Sequence, residues 1–236
     1  MAGLTALGFI SLNAVRRVSD GAFEFCAIEG LDGFRLLETG QFTAPLDPFV
    51  GLQAPSEPQF PAPEHIDPCG DLFAYDAIRT AVPMAIFSDF NCPICRRQTQ
   101  DLQRYATKHV SMSWHELPLL GDDSVQAAVA AVAAGQQGAY QSFHKFFLAS
   151  RAAPDPAQLR ALSREFDLDA ERLIGDLQSQ VVLQKIGRSM ALAELFGFYA
   201  TPAMVVGRTA VLGYLEPARL DKLIAIERDL PPVCAP

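Results

Sequence analysis

Apolar positions along the 236-residue chain change period several times, and each change predicts an element. Ala2 to Val15 is mostly apolar, built of small residues, without an acidic side chain, and followed by Arg16 and Arg17. Its length suits a signal-peptide core and falls short of the ~20 residues that span a bilayer. It predicts an export signal or anchor whose start lies upstream of Met1, against the alternative of a buried or amphipathic helix. Residues 22–42 then mix short apolar pieces with Gly30, Gly33 and Gly40. Pro45, Pro48, Pro55, Pro58, Pro61, Pro63 and Pro68 follow, a spacing that forbids a regular helix or central strand. Residues 1–67 are therefore read as a signal- or anchor-like segment plus a Pro-rich arm that wraps or tethers a domain at 68–236.

Within that domain a short helix is expected over Asp71 to Ile78. The run Met84 to Phe87, bounded by Pro83 and Ser88-Asp89, suits a buried strand. A helix starts at Cys92 with Pro93 in its first turn, where the missing N–H costs nothing. Cys95, Thr99, Leu102 and Ala106 recur at helical spacing and mark one inward face, leaving Cys92 at the open end with its sulfur exposed. Val110, Met112 and Trp114 alternate with polar residues as a second strand, closing a parallel βαβ unit. No strand signal interrupts residues 121–196. There Asp123 is expected to cap an alanine-rich helix to about Ala134, Tyr140 to Ala149 forms another, Asp155-Pro156 starts a third, and Asp169 caps a long one ending at Phe196-Gly197. Ala203 to Val206 and Thr209 to Leu212 then form a hairpin through Gly207-Arg208, and Pro217 opens a closing helix to about Glu227. The order βαβ, helical insertion, ββα belongs to a single α/β domain.

Composition narrows the function classes. Half of the chain is apolar and 19% is charged, as in a globular protein, and the net charge of −8 comes without a clustered basic face. Nucleic acid is not an expected partner.

Of the cysteines at 26, 69, 92, 95 and 234, only Cys92 and Cys95 form a local unit. Two cysteines separated by two residues at a helix start can close a small disulfide, and the unpaired N–H groups there favour a thiolate. Cys92 is the expected nucleophile and Cys95, one turn on, the resolving thiol. Arg96 and Arg97 add positive charge nearby or stand as solvated surface residues. The rival reading is half of a zinc site, or a binding module for a metal or an unfolded peptide. It lacks a second ligand pair: the remaining cysteines are isolated, and His65, His109, His115 and His144 show no matching spacing. Neither metal nor cofactor is called for.

Phe87-Ser-Asp-Phe-Asn-Cys-Pro-Ile-Cys-Arg, the helical insertion and the later Gly197-Phe-Tyr-Ala-Thr-Pro-Ala203 resemble the DsbA-like family of thioredoxin-fold thiol:disulfide oxidoreductases over roughly residues 69–230. The resemblance implies a thioredoxin-like α/β fold with an inserted all-helical subdomain. It also implies a proline, Pro202, that is cis, follows Thr201 and faces the cysteine pair, where the backbone ahead of it pairs with an extended substrate peptide. Partners are then protein thiols and disulfides, with a further redox protein recycling the pair. The strongest oxidants of the family carry His between the cysteines where this chain has Ile94, which argues for a less acidic Cys92. Isomerases of related type carry a folded dimerisation domain ahead of the thioredoxin fold, which the Pro-rich arm does not resemble, so oxidase is the expected direction, with reductase or isomerase as alternatives. No carboxylate matches the family's buried one. Asp89 is the nearest candidate for moving the Cys95 proton, but it reads first as a strand-end turn residue.

Cys69 and Cys234 stand at the two ends of the domain, which often meet in space. A structural disulfide between them is the expectation, against two unpaired thiols, with Cys26 left free. Such chemistry wants an oxidising place, so a periplasmic or other extracytoplasmic location is expected, with a membrane tether through the N-terminus and a monomeric protein.

Overall fold

The computed structural model of the protein describes residues 18–19, 23–38, 40–45, 60–73, 81–105, 109–150 and 154–234. The signal- or anchor-like stretch at residues 2–15 lies outside them. Among the described residues, no helix is long and apolar enough to cross a membrane.

The described strands are β1 (Val18–Ser19), β2 (Glu24–Ala27), β3 (Arg35–Glu38), β4 (Val82–Ser88), β5 (Val110–Glu116), β6 (Ala203–Val206) and β7 (Thr209–Leu212). They form one mixed sheet in the order β1-β2-β3-β7-β6-β4-β5. β4 lies parallel to β5 with Val82 opposite Val110 and Ser88 opposite Glu116, and antiparallel to β6. Its residues read as one apolar run because both faces of the sheet are covered. Met84, Ile86, Met204, Val206 and Val211 pack with Leu102, Leu220 and Leu223 on one face. Ala85, Phe87, Ala203, Val205, Ala210 and Leu212 pack with Leu72, Leu192 and Phe196 on the other.

The segment ahead of the proline-rich stretch does more than wrap the domain. β3 pairs in parallel with β7, Arg35 opposite Thr209, and β2 pairs antiparallel with β3. Phe23, Phe25, Leu31, Phe34 and Leu37 are buried in the clusters on the two faces. Glu227 locks the junction: it accepts from Arg35 Nη2 at 2.7 Å, from the Thr209 hydroxyl at 2.6 Å and from the Arg208 N–H at 2.9 Å.

Several helix boundaries differ from those expected. α1 (Pro68–Leu72) starts three residues before Asp71, because the Asp67 carboxylate caps it at Cys69 N–H; residues 74–78 of the expected helix lie outside the described ones. α2 (Pro93–Leu102) begins where predicted. α3 (Asp122–Gly135) begins at Asp122 after Gly121, whose φ of +94° turns the chain, and no side chain caps it. Its buried alanines pack against α4 (Tyr140–Ser150) and later helices in one cluster with Phe143, Phe147 and Ile186. α5 (Pro156–Glu165) and α6 (Ala170–Asp176) are capped by Asp155 and Asp169 as expected. The long helix expected after Asp169 is two, α6 and α7 (Gln180–Leu195), because the Ser179 hydroxyl accepts from Val182 N–H and opens a new helix. α8 (Pro217–Asp229) covers the sheet at the end of the chain.

Cys69 and Cys234 form a disulfide between α1 and the chain's end, with Cα atoms 5.4 Å apart. Cys26, on β2, is a free, half-buried thiol.

Candidate active site

β4 delivers the chain to a turn, Asp89-Phe90-Asn91, from which α2 leaves. The turn is fixed by Asp89, 1% exposed. One carboxylate oxygen accepts from Asn91 N–H and the Ser124 hydroxyl, both at 2.7 Å. The other accepts from Leu119 N–H at 2.8 Å and Leu120 N–H at 3.0 Å. Burial raises the carboxyl above its usual range, and these hydrogen bonds pull it back. With both oxygens committed to the loop at 119–124, Asp89 acts here as a turn clamp.

Cys92 is the N-cap of α2, in extended conformation, and its Sγ accepts from Cys95 N–H at 3.1 Å. Pro93 in the next position has no N–H to lose. Cys92 and Cys95 are joined as a disulfide with Cα atoms 5.2 Å apart. Thr201 and Pro202 sit in the chain entering β6, joined by a cis peptide bond, and the Thr201 carbonyl oxygen lies 3.5 Å from Cys92 Sγ. The sequence-predicted residues Cys92, Cys95, Thr201 and Pro202 thus meet at one place, brought there by the neighbouring strands β4 and β6.

Neither sulfur is open to solvent: Cys92 is 0% exposed and Cys95 1%. The expected exposure of Cys92 fails because residues 40–45 cross in front of it. Thr43 exchanges both backbone hydrogen bonds with Thr201, at 2.7 and 3.0 Å, and its hydroxyl oxygen stands 3.6 Å from Cys92 Sγ. Sequence reasoning missed Thr43. A threonine between Phe42 and Ala44 carries no local signal, and only the sheet brings it here.

The flanking arginines are engaged. Arg96 donates to the Phe90 carbonyl at 3.2 Å, and the Arg97 guanidinium lies 4.4 Å over the Tyr214 ring. Ile94, between the cysteines, is half-buried and offers no hydrogen-bonding group. Behind Phe90, whose ring meets His144 edge-on at 5.3 Å, lies a polar cluster that the sequence did not announce. The Tyr140 hydroxyl donates to Glu116 at 2.5 Å and lies 3.1 Å from His144 Nδ1. Burial and then the Glu116 charge hold that hydroxyl well above its ordinary range. Among the described residues, no three His, Cys, Asp or Glu side chains gather as a metal site.

Comparison with known proteins places the fold and the family. In a solved structure, a thioredoxin-like oxidoreductase from Silicibacter pomeroyi DSS-3 is 36% identical, with a TM-score of 0.59 over 66% of this chain and 91% of that one. The thiol-disulfide exchange protein alpha-DsbA2 from Wolbachia pipientis shares the fold at 20% identity, with a TM-score of 0.57 over 63% of this chain and 82% of that one. A Na(+)/H(+) antiporter, NhaA 3 of Salinispora tropica, is 29% identical over 129 residues, 53% of this chain. The chain spans only 20% of that relative's length. The profile of the DSBA-like thioredoxin domain matches residues 84–225, from the middle of β4 into α8, and the chain belongs to that family.

Proposed function

We propose that the chain is a thiol-disulfide oxidoreductase working through Cys92 and Cys95, with oxidation of protein thiols as its direction. The observation that carries this reading is the placement of Cys92 Sγ. It sits at the positive end of α2, accepts the Cys95 N–H at 3.1 Å, and faces the backbone of Thr201.

A substrate thiolate attacks Cys92 Sγ of the disulfide. A substrate–Cys92 bond forms, the Cys92–Cys95 bond breaks, and the electron pair leaves on the Cys95 sulfur, which takes a proton from water. A second substrate thiolate then attacks the substrate sulfur of the mixed disulfide and releases Cys92 as a thiolate. The substrate loses two electrons and the cysteine pair gains them. A further thiol-disulfide protein must reoxidise the pair. Thr201 and Pro202 serve in this reading as the backbone edge that holds the substrate chain while the sulfurs exchange.

The Cys69–Cys234 disulfide supports an oxidising, extracytoplasmic compartment, since such bonds are rare where thiols are kept reduced. Thiol oxidation of a reduced dithiol peptide tests the proposal. Cys92→Ser is expected to abolish turnover with an unchanged far-UV spectrum, and Cys95→Ser to accumulate mixed disulfides at Cys92. Turnover by Cys92→Ser at the unaltered rate rejects the reading. A reduction potential near that of thioredoxin, about −270 mV, assigns the reductase direction instead.

A further inference from the structure

The segment that covers Cys92 is laid out as a bound peptide. Thr43 and Thr201 exchange two backbone hydrogen bonds, N–H to carbonyl in both directions, as an antiparallel pair of one residue each. Two residues earlier, the Gln41 carbonyl accepts from Tyr214 N–H at 2.8 Å. Gly40, with φ of +76°, lies against the Tyr214 carbonyl where any Cβ would collide, so the path into the groove is fixed by the backbone. This is strand addition to a free backbone edge, with the chain's own arm as the added strand.

The side chains continue the likeness. Threonine and cysteine both carry a heteroatom, Oγ1 or Sγ, directly on Cβ, the sulfur being the larger and on the longer bond. The Thr43 hydroxyl oxygen, 3.6 Å from Cys92 Sγ, therefore stands where an entering sulfur would stand shortly before bond formation. Phe42 meets the Tyr199 ring edge-on at 5.7 Å, and both rings are largely exposed, at 42% and 61%. Ala44 packs against the cluster that holds Phe34, Phe196 and Phe198.

We propose that residues 40–45 are an internal pseudosubstrate. Thr43 occupies the place of a substrate cysteine, and its neighbours report the peptide the groove accepts: an aromatic residue before the cysteine, read by Tyr199, and a small residue after it. The proposal rests on the thiol-disulfide reading above. Because the arm buries Cys92 completely, substrate enters as the arm leaves. Three backbone hydrogen bonds hold it, and a substrate peptide can remake the same three.

Two measurements test this. In a Thr43→Cys/Cys95→Ser variant, oxidised glutathione first forms a mixed disulfide at Cys92. The thiolate introduced at position 43 then displaces reduced glutathione and leaves a disulfide between positions 43 and 92. Near-complete linkage of these two positions, mapped by fragmentation of the digested protein, is expected. A Cys92 that stays glutathionylated overturns the proposal.

The second measurement follows reduction of the Cys92–Cys95 disulfide in the wild-type chain by acetyl-Gln-Phe-Cys-Ala-Pro-amide and by the same peptide with alanine for phenylalanine. An aromatic edge-to-face contact favours the first peptide by about 2- to 10-fold in second-order rate. Tyr199→Ala, at an exposed position, is expected to erase that ratio while both peptides still react. Equal rates in the wild type, or a ratio that survives Tyr199→Ala, overturns the specificity proposed here. Failure of the peptides alone, with glutathione still forming the mixed disulfide at Cys92 of Thr43→Cys/Cys95→Ser, overturns the pseudosubstrate; failure of glutathione as well overturns the thiol-disulfide reading itself.

Discussion

The backbone N–H of Cys95 points at the sulfur of Cys92 from 3.1 Å, closing the first turn of α2 around the reactive atom. A backbone N–H at a helix start stabilises negative charge and is held by the helix rather than by a side chain. It is therefore the fixed part of the thiolate's environment. The residue between, Ile94, adds no donor.

Ile94→His supplies one. An imidazolium beside Cys92 stabilises the reduced thiolate and makes the pair more oxidising. At fixed glutathione ratios the reduced fraction is expected to rise, by about tenfold in the equilibrium constant for each unit by which the Cys92 thiol pKa falls. An unchanged constant would show that the α2 N-terminus alone sets the potential.

His115 gives a pH dependence. It is buried on β5, stacked on Phe87 at 4.7 Å, with Nε2 3.0 Å from the Leu72 carbonyl and Nδ1 3.2 Å from the Ser189 hydroxyl. A carbonyl only accepts, so Nε2 carries the proton in the neutral ring and Nδ1 faces the Ser189 hydroxyl, which also lies within donating distance of the Lys185 carbonyl. Burial pushes the imidazole down to about 4. The unfolded chain, with an ordinary histidine near 6.5, binds the proton first as pH falls, so stability contributed by neutral His115 is full above 6.5 and lost towards 4. The loss amounts to about 3 kcal/mol. Urea unfolding at several pH values checks it: His115→Phe is expected to be weaker at pH 7 and to show a flatter slope between 6.5 and 4.

The Cys69–Cys234 bond ties residues 165 apart in sequence. Closing so long a loop restricts the unfolded chain by about 5 kcal/mol on a chain-entropy estimate. Cys69→Ser/Cys234→Ser is expected to lose most of that in chemical unfolding while the Cys92–Cys95 pair stays active. A loss below about 1 kcal/mol would show that contacts around α1 already hold the ends together.

Glu227 is expected to matter as much as a core residue. Its buried carboxylate joins Arg35, Arg208 and Thr209, hence β3, the β6–β7 turn and α8. Glu227→Ala removes one partner of a buried ion pair and is expected to cost about 3 kcal/mol, with amide exchange rising first in β2 and β3. A uniform rise across the sheet would assign the cost elsewhere.

Much of the domain was legible from local patterns. The run before Ser88, Pro93 after Cys92, the Asp155 and Asp169 caps and the Gly207-Arg208 turn are each specified by neighbours within a few residues, and the structure follows them. Two helix starts differ from the local pattern. The helix expected to be capped by Asp123 takes Gly121 as its N-cap, with Asp123 inside its first turn; Ser179 opens a new helix where an apolar period alone would have run through.

The sequence by itself determined that two cysteines would stand at a strand-to-helix junction, since strand periodicity, a first-turn proline and spacing all lie within one short stretch. The tertiary structure alone decided what stands in front of them. Thr43 reaches Cys92 because β3 pairs with β7 across more than 170 residues of chain, Arg35 against Thr209, and carries the arm to the Thr201 edge. A parallel pairing at such separation depends on backbone groups every residue has, and so leaves no mark in the local pattern.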